Sequence, residues 1–199
     1  MDPIFTLSYA EFSAAQQLAR VFPPSKGYSL YIPLSRQEKG VDLILARRLR
    51  GSTRATTIQV KSSRTYSRQA PTKRTARPFR YYTWFNTFEA PPGADYVLLV
   101  AVYPPEEARA SRQLASWWAP VIMAFNSHEI RRFLRSVKTR GGKPDRMFGF
   151  GFDGPHTIVQ TRGDEHGRFK DFSQHLLKFK SSEIRGSFSF HRSQRGADA

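Results

Sequence analysis

Residues 39–63 read KGVDLILARRLRGSTRATTIQVKSS. Two arms, the apolar Val41 to Ala46 and the β-branched Thr56 to Lys61, flank a turn region that carries Arg47, Arg48, Arg50 and Arg54, which predicts a β-hairpin. With the turn near Leu49 to Ser52, the midpoint between positions 42 and 59 falls inside it, so Asp42 is expected beside Gln59. Residues two apart on a strand share a face, so Gln59 and Lys61 project together and Val60 points the other way, into the core. An acid, an amide and an amine therefore converge at the open end of a mostly apolar hairpin.

The chain around the hairpin alternates between helical and extended patterns. LSYAEFSAAQQLARVF (7–22) places Leu7, Glu11, Ala15, Leu18 and Phe22 on one helical face, and PPSKG stops the helix because proline lacks an amide hydrogen. YSLYIPL (28–34) is predicted as a strand. The apolar run DYVLLVAVY (95–103) is predicted as a central buried strand, and PVIMAF (120–125) as another. NSHEIRRFLRSVK (126–138) carries a capping residue and an apolar face of Ile130, Phe133, Leu134 and Val137, so a helix is expected there. RMFGFGF and HTIVQT read as short strands, and FKDFSQHLLKFK as a last helix. The order implies an α/β or α+β layer with a mixed sheet, in a single domain over residues 1–191 followed by a polar tail, 192–199.

The chain has 199 residues, enough for one domain with a real core. It holds 32 Lys and Arg against 16 Asp and Glu, a net charge of +16, which favours an anionic partner: nucleic acid first, an anionic membrane surface second. The excess is concentrated. From Leu43 to Phe88 there is no acid, and the same span holds eleven basic residues, among them Arg64, Arg68, Lys73 and Arg74, which are expected to hold phosphates. There is no cysteine, so disulfides, thiolate metal sites and thiol nucleophiles are excluded together. The first residues lack the basic-then-apolar pattern of a secretory signal, and no apolar run approaches the roughly 20 residues of a membrane span; a soluble cytoplasmic protein is expected. The five histidines are scattered without zinc spacing, and GFGFDG (149–154) lacks the helix and the Lys-Ser or Lys-Thr of a phosphate loop, so its glycines are read as bulge or turn residues. FRYYTWFNTF (79–88) has rings that could stack bases, although core packing accounts for most of them; Tyr81, Tyr82 and Trp84 are the candidates for a nucleic-acid face.

The hairpin constellation suits metal-assisted phosphodiester hydrolysis. The Asp42 carboxylate is a hard oxygen ligand for Mg²⁺ or Mn²⁺, the Gln59 side-chain carbonyl a neutral second ligand, and the Val60 backbone carbonyl a third. Lys61 is a point cation able to stabilise charge building on the phosphorane. The competing reading makes Asp42 a strand-end acid paired with a nearby arginine, and Gln59 and Lys61 an exposed strand face.

GVDL and IQVKSS, in the order helix, strand, hairpin, resemble the PD-(D/E)XK nuclease superfamily. The chain is similar to those branches, Mrr-type restriction endonucleases and archaeal Holliday-junction resolvases, in which glutamine replaces the second acid. The resemblance covers about residues 7–125. It implies a restriction-endonuclease-like α/β/α core, a central mixed sheet flanked by helices, and a Mg²⁺- or Mn²⁺-dependent endonuclease acting on DNA, including structured or branched DNA. Double-strand cutting by such a site implies a homodimer. Gly40-Val41 stands where the family has a proline before the acid, and the glutamine removes one ligand charge. A catalytically inactive module of the same fold that binds DNA or RNA is the alternative, and a basic assembly protein a more distant one. The resemblance also implies an acid on the first helix that joins the metal site, a place Glu11 would fill; Ser8-Tyr9-Ala10-Glu11 equally fits a capping box in which Glu11 serves the Ser8 amide.

Overall fold

In the computed structural model, which describes residues 8–33, 40–67, 78–104 and 118–189, helix α1 (Tyr9–Val21) starts at Ser8. The Ser8 hydroxyl accepts from the Glu11 amide and the Glu11 carboxylate accepts from the Ser8 amide, so two of the helix's orphan donors are satisfied. The buried stripe of α1 runs through Ala10, Ser13, Ala14 and Leu18. The expected line through Glu11 and Ala15 is rotated outward, and both residues lie at its half-buried margin. Small side chains at 10 and 14 let the helix approach the sheet, which a carboxylate at 11 would resist.

Strand β1 (Tyr28–Tyr31) pairs antiparallel with β2 (Leu43–Leu49), and β2 with β3 (Ser52–Ser63). Leu49 opposes Ser52, so Arg50 and Gly51 form the hairpin turn where the sequence places it. The far edge of β3 pairs in parallel with β6 (Tyr96–Tyr103), which pairs antiparallel with β7 (Ala119–Asn126). The resulting mixed sheet has the order β1-β2-β3-β6-β7. A parallel pair needs a crossover, and part of it is made by β4 (Thr65–Ser67) and β5 (Tyr81–Asn86). These belong to a second, antiparallel sheet with β8 (Met147–Phe152), β9 (Val159–Arg162) and β10 (Lys170–Asp171), in the order β10-β9-β8-β5-β4. Helix α2 (Ser127–Ser136) follows β7 through an Asn126–Glu129 capping box, and α3 (Leu177–Ser187) closes the described chain.

One face of the mixed sheet, with Leu43, Leu45, Ile58, Val60, Leu98 and Val100, packs against α1 and α3. The other, with Val97, Leu99, Ala101, Met123 and Phe125, packs against Phe85, Phe148, Phe150 and Phe152 of the second sheet and against α2. Strand β6 is buried on both faces, as its unbroken apolar run predicts. The described residues thus form a mixed α/β structure with three α-helices, but helices alone do not flank the central sheet. One whole face is covered largely by β-structure, because Phe148, Phe150 and Phe152 alternate with glycine and so present a strand-period apolar face.

The last helix begins later than expected, at Leu177. Residues 170–175 form β10 and a 3-10 turn (Ser173–His175) instead. Asp171 accepts from the Ser173 amide at 2.7 Å, and the Ser173 hydroxyl accepts from the Ile158 amide at 3.0 Å, which ties this segment to β9. Gly149 and Gly151 of GFGFDG lie in β8, with a register shift at Gly149/Phe150, a bulge, and Gly154 lies in the bend that follows. The polar tail 192–199 lies outside the described residues. Among the described residues, no helix is long and apolar enough to cross a membrane.

Candidate functional site

The site forms where β2 leaves β3. Leu43 is the first β2 residue paired, opposite Ile58, and the Asp42 amide donates to the Ile58 carbonyl at 2.9 Å. Two residues earlier Gly40, at φ +96°, turns the chain away; a Cβ there would lie 2.4 Å from Cβ of Pro91, so glycine is required twice over. Beyond Ile58, no strand among the described residues pairs with the β2-side edge of β3. The Asp42 carboxylate fills that role: its Oδ2 accepts from the Val60 amide at 2.7 Å. A strand residue directs its N–H and C=O to the same edge, so the Val60 carbonyl faces the same gap.

Gln59 and Lys61 project from the opposite face to Val60, as expected. Their β6 neighbours, Val97 and Leu99, belong to the core under the second sheet. Gln59 is therefore buried at 7% exposure, not on an open strand face. Its Oε1 is buried with no hydrogen-bond partner among the described residues. Its Nε2 lies toward Gly40, 3.7 Å from where a Cβ would stand, so the amide end borders the segment that leads to Asp42. An orphaned buried acceptor costs about 1–3 kcal/mol, a penalty that a bound cation or water removes. Lys61 is half-buried, with Nζ 5.5 Å from the centre of the Phe88 ring, a cation–π contact that holds the ammonium over an aromatic face.

The two readings of Glu11 are separated by its contacts. Its Oε2 accepts from the Ser8 amide at 3.0 Å, and its own amide donates to Ser8 Oγ at 3.3 Å, both bonds of the cap. Among the described residues no group of three or more His, Cys, Asp or Glu could hold a metal ion. Among the described residues, a cation at the hairpin would draw on one carboxylate, Asp42, and on the neutral oxygens of Gln59 and Val60, a donor set of hard oxygens that fits Mg²⁺ or Mn²⁺ with several retained waters. Arg64 is exposed directly after β3, whereas Arg68, Lys73 and Arg74 lie outside the described residues. The packing of Gly40 against Pro91 and of Lys61 against Phe88 escaped the sequence reading. APPG reads only as a turn, and nothing local says that it packs beside Gly40.

Among the described residues, a second ionic cluster lies between α2 and α3. Lys180, its side chain 10% exposed, reaches Glu129 Oε1 and Glu183 Oε2 at 2.5 Å each. The other oxygen of Glu129 accepts from the Asn126 amide at 3.0 Å, and that of Glu183 accepts from Asn126 Nδ2 at 2.8 Å. Burial pulls the Lys180 ammonium pKa down, but its bonds to Glu129 and Glu183 outweigh burial and hold it above the ordinary range. Burial likewise pushes Glu183 up, and Lys180 and Asn126 hold it below. This closed network joins two helices. Beside it His175 stacks on Phe125 at 4.2 Å, and burial depresses its pKa.

No protein-family model, no curated protein and no solved structure matches the chain.

Proposed function

We propose that the protein is a metal-dependent endonuclease that hydrolyses phosphodiester bonds in DNA at the open end of the β2–β3 hairpin. The observation that carries this reading is the buried Oε1 of Gln59, which has no hydrogen-bond partner among the described residues and belongs to the residue next to Val60, whose amide Asp42 binds. The set is an acid and two neutral oxygens, followed at once by a lysine. Asp42, Gln59 and the Val60 carbonyl are assigned to the cation. A bound Mg²⁺ or Mn²⁺ would acidify a water and neutralise charge on the scissile phosphate. Lys61, held over Phe88, places a fixed positive charge next to that phosphate and stabilises the excess negative charge of the transition state. Arg64, Arg68, Lys73 and Arg74 are assigned to flanking phosphates, and Glu11 to the helix cap rather than to the cation.

One observation favours the second reading, an inactive module that binds DNA or RNA: Asp42 is the single carboxylate of the set. The test is cleavage of a plasmid and of a branched duplex, with Mg²⁺ and with Mn²⁺, by wild type, Lys61→Ala and Asp42→Asn. Lys61→Ala is expected to lose about 100-fold or more in rate, by analogy with removal of one oxyanion donor, while DNA affinity changes only a few-fold. Asp42→Asn is expected to lose metal affinity as well. Wild type that binds DNA and cuts neither substrate establishes the binding module instead, and cutting that survives both substitutions removes the hairpin from the chemistry.

A further inference from the structure

A cleft of about 670 Å³ opens between α2, the β10 segment with its 3-10 turn, and α3. Its floor is aromatic. Phe125, Phe133 and Phe172 are buried there, and the His175 ring lies nearly parallel to Phe125, at 17° with ring centres 4.2 Å apart. Phe133 meets Phe172 edge-on at 5.2 Å, so the rings form one connected surface. Phe179 of α3 also lines the cleft and is 56% exposed, which leaves an aromatic ring open to an occupant.

The charged groups that line the cleft are of two kinds. Glu129, Glu183 and Lys180 satisfy one another and Asn126: Lys180 takes one oxygen of each carboxylate, and Asn126 donates to the other two. All four carboxylate oxygens are thus engaged within the protein. Arg132 and Lys170 are exposed, and neither forms an ion pair among the described residues. Their contacts are to rings. The Arg132 guanidinium lies against His128, and the Lys170 Nζ stands 5.7 Å from the centre of the Phe172 ring, over the floor itself. The remaining carboxylate, Asp171, accepts from the Ser173 amide at 2.7 Å. Two cations without counter-charges therefore border an aromatic floor.

We infer that this cleft binds a small planar aromatic anion, its ring against the phenylalanines and its acidic group on Arg132 and Lys170. The volume is that of a small-molecule site, which typically spans about 300–1,000 Å³. An aromatic ring packs on other rings in offset or edge-on contacts, and a guanidinium fork with an ammonium suits a carboxylate or a phosphate. A neutral aromatic leaves both cations unused. A bare inorganic anion leaves Phe179 open to water. A cationic ligand meets two like charges where the buried acids already have partners. Mononucleotides and free aromatic carboxylates share this chemistry. The cleft lies on the β7 side of the mixed sheet, with β6 between β7 and the hairpin strand β3, so the inference does not rest on the proposed nuclease function.

The test is a fluorescence titration at neutral pH with 1-anilinonaphthalene-8-sulfonate, an aromatic anion whose emission rises when it leaves water. Wild type should bind it saturably and release it to dAMP or to indole-3-acetate, whereas inorganic phosphate should need about tenfold or more higher concentration. Release at the lower concentration by dAMP identifies nucleotides as the source, and by indole-3-acetate free aromatic carboxylates. Arg132→Gln and Phe179→Ala, both at exposed positions and checked for folding by thermal melting, should each weaken binding by about fivefold or more. Arg135→Gln, on the same helix but outside the cleft, should stay within roughly twofold of wild type. Binding that does not saturate overturns the inference, as does release by phosphate as readily as by the aromatic acids; these wild-type results decide independently of any variant. So do equal losses in Arg132→Gln and Arg135→Gln, or an affinity that Phe179→Ala leaves unchanged.

Discussion

Replacing Gly40 by alanine, with Gly51→Ala as its control, measures how tightly the candidate site is held. Both glycines have positive φ, +96° and +77°, so alanine at either pays for a left-handed backbone, about 1–2 kcal/mol. Both substitutions also restrict the unfolded chain similarly, an effect that cancels in the comparison. The surroundings differ. At Gly51, in the hairpin turn, a Cβ meets nothing within 4 Å; at Gly40 it lands 2.4 Å from Cβ and 3.0 Å from Cγ of Pro91. A proline ring cannot swing aside as a flexible side chain can, so relief must come from moving the backbone of residues 40–42 or of Pro91. Overpacking of this kind costs about 1–3 kcal/mol. Gly40→Ala should therefore be less stable than Gly51→Ala by about 1–3 kcal/mol in urea denaturation at neutral pH, or roughly 2–12 °C in Tm for a chain of this size. Because Asp42 is two residues away and its carboxylate bonds the Val60 amide, metal affinity should also fall in Gly40→Ala and not in Gly51→Ala. Equal stabilities for the two variants would refute the claim that Pro91 and Gly40 fix the mouth of the site.

Glu11→Gln should leave Mn²⁺ affinity unchanged and stability within about 0.5 kcal/mol, since glutamine still accepts from the Ser8 amide; isothermal titration showing weaker Mn²⁺ binding would return Glu11 to the metal. Lys180→Met should cost about 2–3 kcal/mol in urea denaturation, below the usual 3–5 for breaking a buried pair because Glu129 and Glu183 keep their bonds to Asn126 and are partly exposed; a neutral or stabilising result contradicts the role of this network as a tie between α2 and α3. Burial holds His175 below its ordinary pKa, so the unfolded chain takes up the proton first. Its contribution is complete above the unfolded value of about 6.5 and is lost as pH falls, by at most about 1.4 kcal/mol per pH unit. Urea midpoints should drop between pH 7 and pH 5, and His175→Gln should flatten that slope. The carboxylates held low by partners, Asp145 beside Arg162 and Asp171 beside Ser173, act in a separate, more acid window.

The hairpin was legible in the sequence because everything that specifies it is local. The β-branched arm, the Arg50-Gly51 turn and the period of two place Leu43 opposite Ile58 and put Gln59 and Lys61 on one face whatever the rest of the chain does. The same holds for the buried strand β6, an uninterrupted apolar run, and for the two capping boxes, each spelled by residues three apart. Tertiary structure decided the rest. Periodicity along α1 admits two adjacent stripes, and only the sheet beneath it selected Ala10, Ala14 and Leu18 and left Glu11 to its cap. Period-two aromatics announce strands but not the layer they join, so nothing local says that Phe148, Phe150 and Phe152 cover a face of the mixed sheet where helices were expected. Gln59 became a buried acceptor without a partner among the described residues because that second sheet lies over it, and Asp42 took the Val60 amide because Gly40, against Pro91, turns the segment before β2 away from β3. Local spacing determines which side chains share a face; burial and contact depend on segments tens of residues apart, whose packing is settled by the whole core at once.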